Sequence, residues 1–568
     1  MKRVVGLLLA ALLGGCSLPL PSGARTPSGV TGQQQPADLE VLPQGPLAGQ
    51  PPTAAVAGFL AAQASPLGDF AIARQFLTGE AAKEWSPDAG IRVYQPDTEQ
   101  VEYHAQDRSV QVSLTVTGRV DPGGHFVPGV ERQKPEFYGV QKTIDGWRVS
   151  SVPDCVGLHL SPIDLLRTFS ARNVYYLATQ LHPDDPRHLV PDRVFLPASG
   201  DVDTALVRRL LALPSPALLG SVDPSTPGIR VGSVSRSRGG VVTVTLSADS
   251  SRPSATELRD LSARLVWTLR GDPLFTGLRL ADPSGVLRLQ GTPEVQAATA
   301  WQSYDPENLE LPPTYYFVAR HRLRSQGAKL PTSALTQGTV PVDVVAVSPR
   351  GDRIAALRRT SRGVAVHLGS ALGATFPLAV EARDLRSPTW GSGEAGLWML
   401  QGSSVVRLDA AGSSLETVAT PGRPPGRIRS LALSRDGARA ALVIGNGIYV
   451  AKVIWSSGTP SLVDPRRVAA PASVPQQVVW STPTELVVLE VADATQGGAR
   501  AVQRIAVDGS ASTTVPLGSL NPTTVAAAGQ VIVVASGEAA TTALWQVGPV
   551  GRGIAKVQVS GTAPAFPG

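Results

Sequence analysis

The chain has 568 residues, with 51 Lys and Arg against 45 Asp and Glu for a formal charge of +6, and this length suits three or four domains of ordinary size. Its arginines are spread along the sequence without a basic cluster, so the pI of about 9.4 does not point to nucleic acid as a partner. Two cysteines exclude a framework of internal disulfides, and the domains must hold by burying apolar surface.

At the amino terminus, Lys2 and Arg3 precede an apolar run from Val4 to Leu13. That run is shorter than the about 20 residues a helix needs to cross a bilayer, and it has the build of a secretory signal peptide over residues 1–15. The sequence Leu13-Gly14-Gly15-Cys16 is similar to the lipobox of bacterial lipoproteins. The resemblance implies cleavage after Gly15, a diacylglyceryl group on the Cys16 thiol and acylation, of the palmitate type, at the new amino terminus. Each buried methylene adds about 0.8 kcal/mol of membrane affinity, so two or more chains hold where one exchanges. Cys155 then has no partner in the chain and is expected to be a buried, inert thiol.

Residues 16–50 are rich in Pro, Gly, Ser and Gln without an apolar period, which predicts a lipidated, disordered tether. Its reach is roughly 30–35 Å by random-coil scaling.

Residues 51–155 open with helical spacing at Ala54, Ala57, Phe59, Leu60, Phe70, Ala73, Phe76 and Leu77. They then switch to strict alternation in VQVSLTVT, where Val110, Val112, Leu114 and Val116 share one face of a predicted strand. A turn at Asp145-Gly146 leads into a last strand. Helices followed by a curved sheet resemble the α+β cone of the nuclear-transport-factor-like fold. His104 and His125 are the side chains a cone cavity would offer, and surface or satisfied roles are expected for both.

In residues 156–295 the segments NVYYLATQ and HLVPDRVFLP, a helix near 201–213 with Val202, Ala205, Leu206, Leu210 and Leu213 inward, and the strands IRVGSVSRS and GVVTVTLS come in turn. A second helix starts at Ser254, with Glu257 three residues on as a capping box, and buries Leu258, Leu261, Leu265 and Leu269. A hairpin at residues 282–285 ends an α+β unit. The YYL strand, the VPDRVFLP segment and the GVVTVTLS strand resemble the GerMN domain of spore-germination and envelope proteins, which implies a binding module. The loop HPDDPRH at 182–188 collects two histidines and two aspartates. It lacks a helical face to preset metal geometry, so a solvated loop and no metal site are expected.

Residues 296–568 repeat. VVAVSPRGDRIAAL (344–357) and SLALSRDGARAALV (430–443) share a strand, a Ser-x-x-Gly turn and an apolar strand. SPTWGSGEAGLWML and VVWSTPTELVVLEV fall between and after them, which sets an interval near that of one four-stranded propeller blade. TTVAAAGQVIVVASGE adds another inner hairpin, and YYFVARH (315–321) is placed to close the ring. An all-β propeller of five or six blades is predicted.

The chain carries no HExxH, G-x-S-x-G, Walker or dinucleotide-binding motif. No cofactor and no catalysis are expected. Paired carboxylates need no motif, but Asp352, Asp436 and Glu381 fall in blade turns or strand ends, where solvated turn residues are the rule.

Lipobox, tether, cone-like domain, GerMN-like domain and propeller, in that order, resemble the LpqB family of actinobacterial lipoproteins. That resemblance implies an accessory of the MtrA/MtrB two-component system, bound to the extracytoplasmic part of the MtrB-like sensor histidine kinase and acting on division and envelope homeostasis. It places the chain on the outer face of the cell membrane, held by its lipid. The alternative is a protein that binds or cleaves a cell-wall polymer with its propeller face, for which Trp390, Trp398, Trp480 and Trp545 would have to offer exposed rings.

Overall fold

The structure is a computed structural model. It describes residues 43–568 apart from 97, 133–134, 154–156, 180–187, 199, 225–227, 251–252, 308–312, 392–394, 470–472, 493–497, 538–541, 549–552 and 559. Gly15, Cys16, Cys155 and residues 182–187 of the HPDDPRH loop lie outside the described residues.

The first domain packs three helices, Pro52–Ala62, Leu67–Gln75 and Gly79–Glu84, against two four-stranded sheets. The alternating run at 110–116 is buried at Val110, Val112, Leu114 and Val116. It is two strands and not one: Ser109–Ser113 belongs to one sheet and Thr115–Val120 to the other. The chain changes sheets at Leu114, whose side chain stays in the shared core, so the alternation continues across the corner while the hydrogen bonding does not.

Leu158–Leu160 pairs in parallel with Ile91–Val93, and Leu165 of the helix Pro162–Thr168 joins the same core. The first domain therefore runs past residue 155, where the sequence placed its end.

The second domain has the predicted element order. Phe169–Ala178 pairs with Leu189–Pro197, and Val202–Leu211 is helical. Val231–Arg236 and Val241–Leu246 form a hairpin whose second strand lies parallel to Gly277–Asp282. Ser254 and Glu257 close the predicted capping box on the helix Ala255–Leu269, which buries Leu258, Leu261, Leu265 and Leu269. Leu213 is not inward: it is 68% exposed. The helix stops at Leu211, and extended backbone at Ala212 carries Leu213 off the buried face.

Residues 296–304 also belong to this domain and not to the propeller. The Trp267 indole donates to the Trp301 carbonyl at 3.0 Å, the Trp301 indole to Gln296 Oε1 at 2.8 Å, and the Tyr304 hydroxyl to Asp260 at 3.2 Å.

Among the described residues the propeller has six sheets. Five have four strands and begin at Val344, Leu385, Ile428, Val474 and Pro522. In the sixth, Tyr315–Ala319 pairs with Arg322–Gln326 on one side and with the late strand Thr562–Ala565 on the other. Joining an early strand to a late one within one sheet closes the ring of blades, and each blade keeps only short edges. The first strand of each blade, with Thr562–Ala565 serving the sixth, touches its neighbours around a central channel. The described residues from 43 to 568 pack as one compact unit.

Candidate functional site

The repeated blade motif explains much of the propeller's polar chemistry. In blade one, Gly351 has φ of 71° and donates its N–H to the Ser348 carbonyl at 2.8 Å. In blade three, Gly437 has φ of 75° and bonds Ser434 at 2.9 Å. A left-handed residue is needed to reverse the chain this tightly, which is why glycine closes both turns.

An arginine follows each turn, and a tryptophan from the next blade lies under it. Arg353 stacks 5.1 Å from the Trp390 ring and Arg439 5.3 Å from the Trp480 ring. The two indoles donate to Ala346 and Ala432 carbonyls of the preceding blade at 3.1 and 3.0 Å. Trp390 and Trp480 are therefore inter-blade pins, 3% and 9% exposed, while Trp398 is fully buried at 0%. Trp545 is half-buried beneath Lys556.

Blade three uses its copy of the motif to hold the second domain. Arg439 donates to the Pro191 carbonyl of that domain at 3.4 Å, to the Pro483 carbonyl of blade four at 2.8 Å and to Asp436 at 3.0 Å. Asp436 also accepts from the Ser434 hydroxyl and the Ala438 N–H. Ala438 packs into the second domain's core. A buried carboxylate is tolerable only when charge and hydrogen bonds compensate it, and Asp436 has both. Arg193 and Asp508 add an ion pair across the same interface at 3.4 Å.

A second junction joins the first two domains. His125 lies between Asp121 of its own turn, with Nδ1 at 3.4 Å, and Asp192 of the second domain, with Nε2 at 3.5 Å. Asp192 is buried and also accepts the Ser215 N–H at 2.6 Å. Burial opposes the charged imidazole, but bonding to and attraction by the two carboxylates outweigh it and push the pKa up to about 9. The backbones meet here as well, with the Phe195 N–H on the Gly124 carbonyl at 2.7 Å. A Cβ on Gly124 would come within 2.9 Å of the Phe195 carbonyl oxygen, so this junction requires glycine.

The remaining sequence candidates are also occupied. His104 packs edge-on against Phe137. His188 is set against the Asp305 carbonyl, and burial lowers its pKa. Asp352 accepts from Ser348 and Glu381 from Thr360. Among the described residues no group of three or more His, Cys, Asp or Glu is placed to hold a metal ion, and no helix is long and apolar enough to cross a membrane. The sequence reading missed Arg439 and the His125–Asp192 junction. The recurrence of an arginine directly after each Ser-x-x-Gly turn region was the available signal for the first; Asp192 lies 67 residues from His125, and nothing local announces it.

Three family models match in chain order: the lipoprotein LpqB N-terminal domain over residues 45–164, a sporulation and spore germination domain over 173–273, and the lipoprotein LpqB beta-propeller domain over 321–567. With this fold they define the class, a membrane-associated envelope lipoprotein carrying a propeller. The lipoprotein LpqB of Mycobacterium tuberculosis is 28% identical over 100% of this chain and 99% of its own. That of Cutibacterium acnes is 26% identical over 93% and 92%. The chain belongs to the LpqB family. Among solved structures, TolB from Acinetobacter baumannii aligns with a TM-score of 0.37 and 14% identity over 45% of this chain and 66% of that one.

Proposed function

We propose that the protein is anchored to the outer face of the cell membrane through lipid on Cys16, after cleavage at Gly15, and that it acts there by binding a sensor histidine kinase of a two-component system and shifting its activity. Division and envelope homeostasis are the processes affected. The observation that carries an action by contact is the fate of the candidate chemistry: Asp436, Trp390 and Trp480, among the acids and tryptophans that catalysis or sugar stacking would need, hold blades and domains together. Asp436 and Trp480 are the strongest cases. The cell-wall polymer reading therefore has no platform in Trp390, Trp398 or Trp480.

Family membership and the lipobox-like Leu13-Gly14-Gly15-Cys16 support the anchored, regulatory form of this reading. A tether on the bilayer confines the protein to the layer that holds a membrane kinase, and the resulting effective concentration permits a weak, reversible contact. Regulation follows from unequal affinity for two kinase conformations, with about 1.4 kcal/mol of preference for each tenfold shift. The test is kinase autophosphorylation in membranes with and without the full-length lipoprotein. A changed rate or extent is expected, and an unchanged one overturns the regulatory role.

A further inference from the structure

The six inner strands of the propeller enclose a cavity of about 300 Å³, a volume in the range of small-ligand sites. Its walls are mostly apolar or neutral, with Val344, Leu431, Ala526 and Ala563 among them; Arg435 is its one charged side chain, and the last residue, Gly568, lines it with its main-chain carboxylate. No Asp or Glu lines it among the described residues.

Arg435 leaves the end of blade three's inner strand within the same Ser-x-x-Gly turn that contacts the second domain. Its side chain, the guanidinium Nε included, lies against Gly568. Among the described residues its guanidinium makes neither a hydrogen bond nor a close ion pair, and Glu307 attracts it electrostatically. Burial lowers its pKa to about 10, so it remains cationic at neutral pH. Arg435 is only partly buried, and an anion that enters the cavity beside it gains a charge-assisted hydrogen bond.

Hydrogen-bonding capacity is also left over along the walls. The Thr524 hydroxyl is buried without a partner. Gln476 uses its amide N–H on the Val474 carbonyl at 3.4 Å, which leaves the rest of that amide for a ligand.

We propose that the channel cavity is a binding site for an organic carboxylate, with the carboxylate on the Arg435 guanidinium, the apolar body along Val344 and Ala563, and Thr524 and Gln476 supplying further hydrogen bonds. The site does not depend on the kinase reading. A free branched-chain acid and the carboxyl terminus of a peptide present the same chemistry.

The experiment is ligand-observed NMR titration of the full chain in detergent with isovalerate and with acetyl-trialanine, each against its uncharged amide. At least one acid should bind about tenfold or more tightly than its amide, the scale of one charge-assisted bond. Whichever acid shows that preference identifies the source. Arg435→Gln should abolish the preference. Gln476→Glu, which sets a negative charge on another wall, should weaken acid binding about tenfold while the melting curve is unchanged, and it decides the matter if Arg435→Gln does not fold. Acids that fail to bind at about 10 mM, amides that bind equally well, or a preference that survives in the folded variants would each overturn the proposal.

Discussion

Replacing Arg439 with methionine tests how the propeller holds the second domain. The substitution keeps most of the apolar stem over Trp480 but removes the charge that faces Asp436 and the donors to the Pro191 and Pro483 carbonyls. Asp436 keeps the Ser434 hydroxyl and the Ala438 N–H, and it is left as a buried carboxylate with no counter-charge. Breaking one side of a buried pair costs about 3–5 kcal/mol. The equivalent Arg353→Met in blade one also loses a stacking and a carbonyl contact, at Trp390 and Ala410, but strands no buried charge, and should cost about 1 kcal/mol. Adding Asp436→Asn to Arg439→Met should recover a substantial part of the loss. Urea unfolding followed by tryptophan fluorescence gives the three values, and small-angle scattering reports whether the second domain stays docked. Equal costs for Arg439→Met and Arg353→Met, or no recovery in the double variant, would refute the buried-pair argument.

Three further predictions are narrower. Since the His125 pKa is raised from 6.5 to about 9 in the folded protein, its contribution, about 3 kcal/mol by linkage, is complete below pH 6.5 and disappears as the pH rises through 9; urea midpoints from pH 6 to 10 should fall in the wild type and show a shallower fall in His125→Gln. Burial pushes Glu490 up to about 7, against a hydrogen bond from Gln503 that lowers it. Its folded form thus favours the proton, and Glu490→Gln should raise the urea midpoint at pH 8 while leaving it nearly unchanged at about pH 4, below the unfolded carboxyl value. Cys16→Ala should leave the protein soluble or as an uncleaved precursor in cell fractionation, and a cleaved variant retained in the membrane would contradict the lipid anchor.

The parts legible in the sequence are those whose cause is local. The capping box at Ser254 and Glu257, the alternation through Val116 and the glycine-closed turns at Gly351 and Gly437 each depend on residues a few positions apart. The blade repeat was visible because it copies such local units at a fixed interval. Leu213 failed because a helical period does not say where the helix stops, and extended backbone at Ala212 ends it first. The single strand read across 110–116 failed because alternation reports burial, and burial persists at Leu114 where the strand changes sheets. Junctions were the least legible. His125 meets Asp192, and Arg439 meets Pro191 across 248 residues; such contacts are set by how finished domains pack. The channel site has the same origin, since Arg435 gains its setting only when six separate strands form a ring.

The central claim, that this lipoprotein acts by touching a sensor kinase, is tested most directly by photo-crosslinking in intact cells. A crosslinkable residue is placed in turn on the exposed surface of the propeller, at Leu372, and of the second domain, at Leu274, and the captured partners are identified by mass spectrometry. The account predicts a membrane-embedded histidine kinase, joined through its extracytoplasmic part and lost when Cys16 is replaced. Capture of cell-wall material alone, or of the kinase equally well without the anchor, would contradict it.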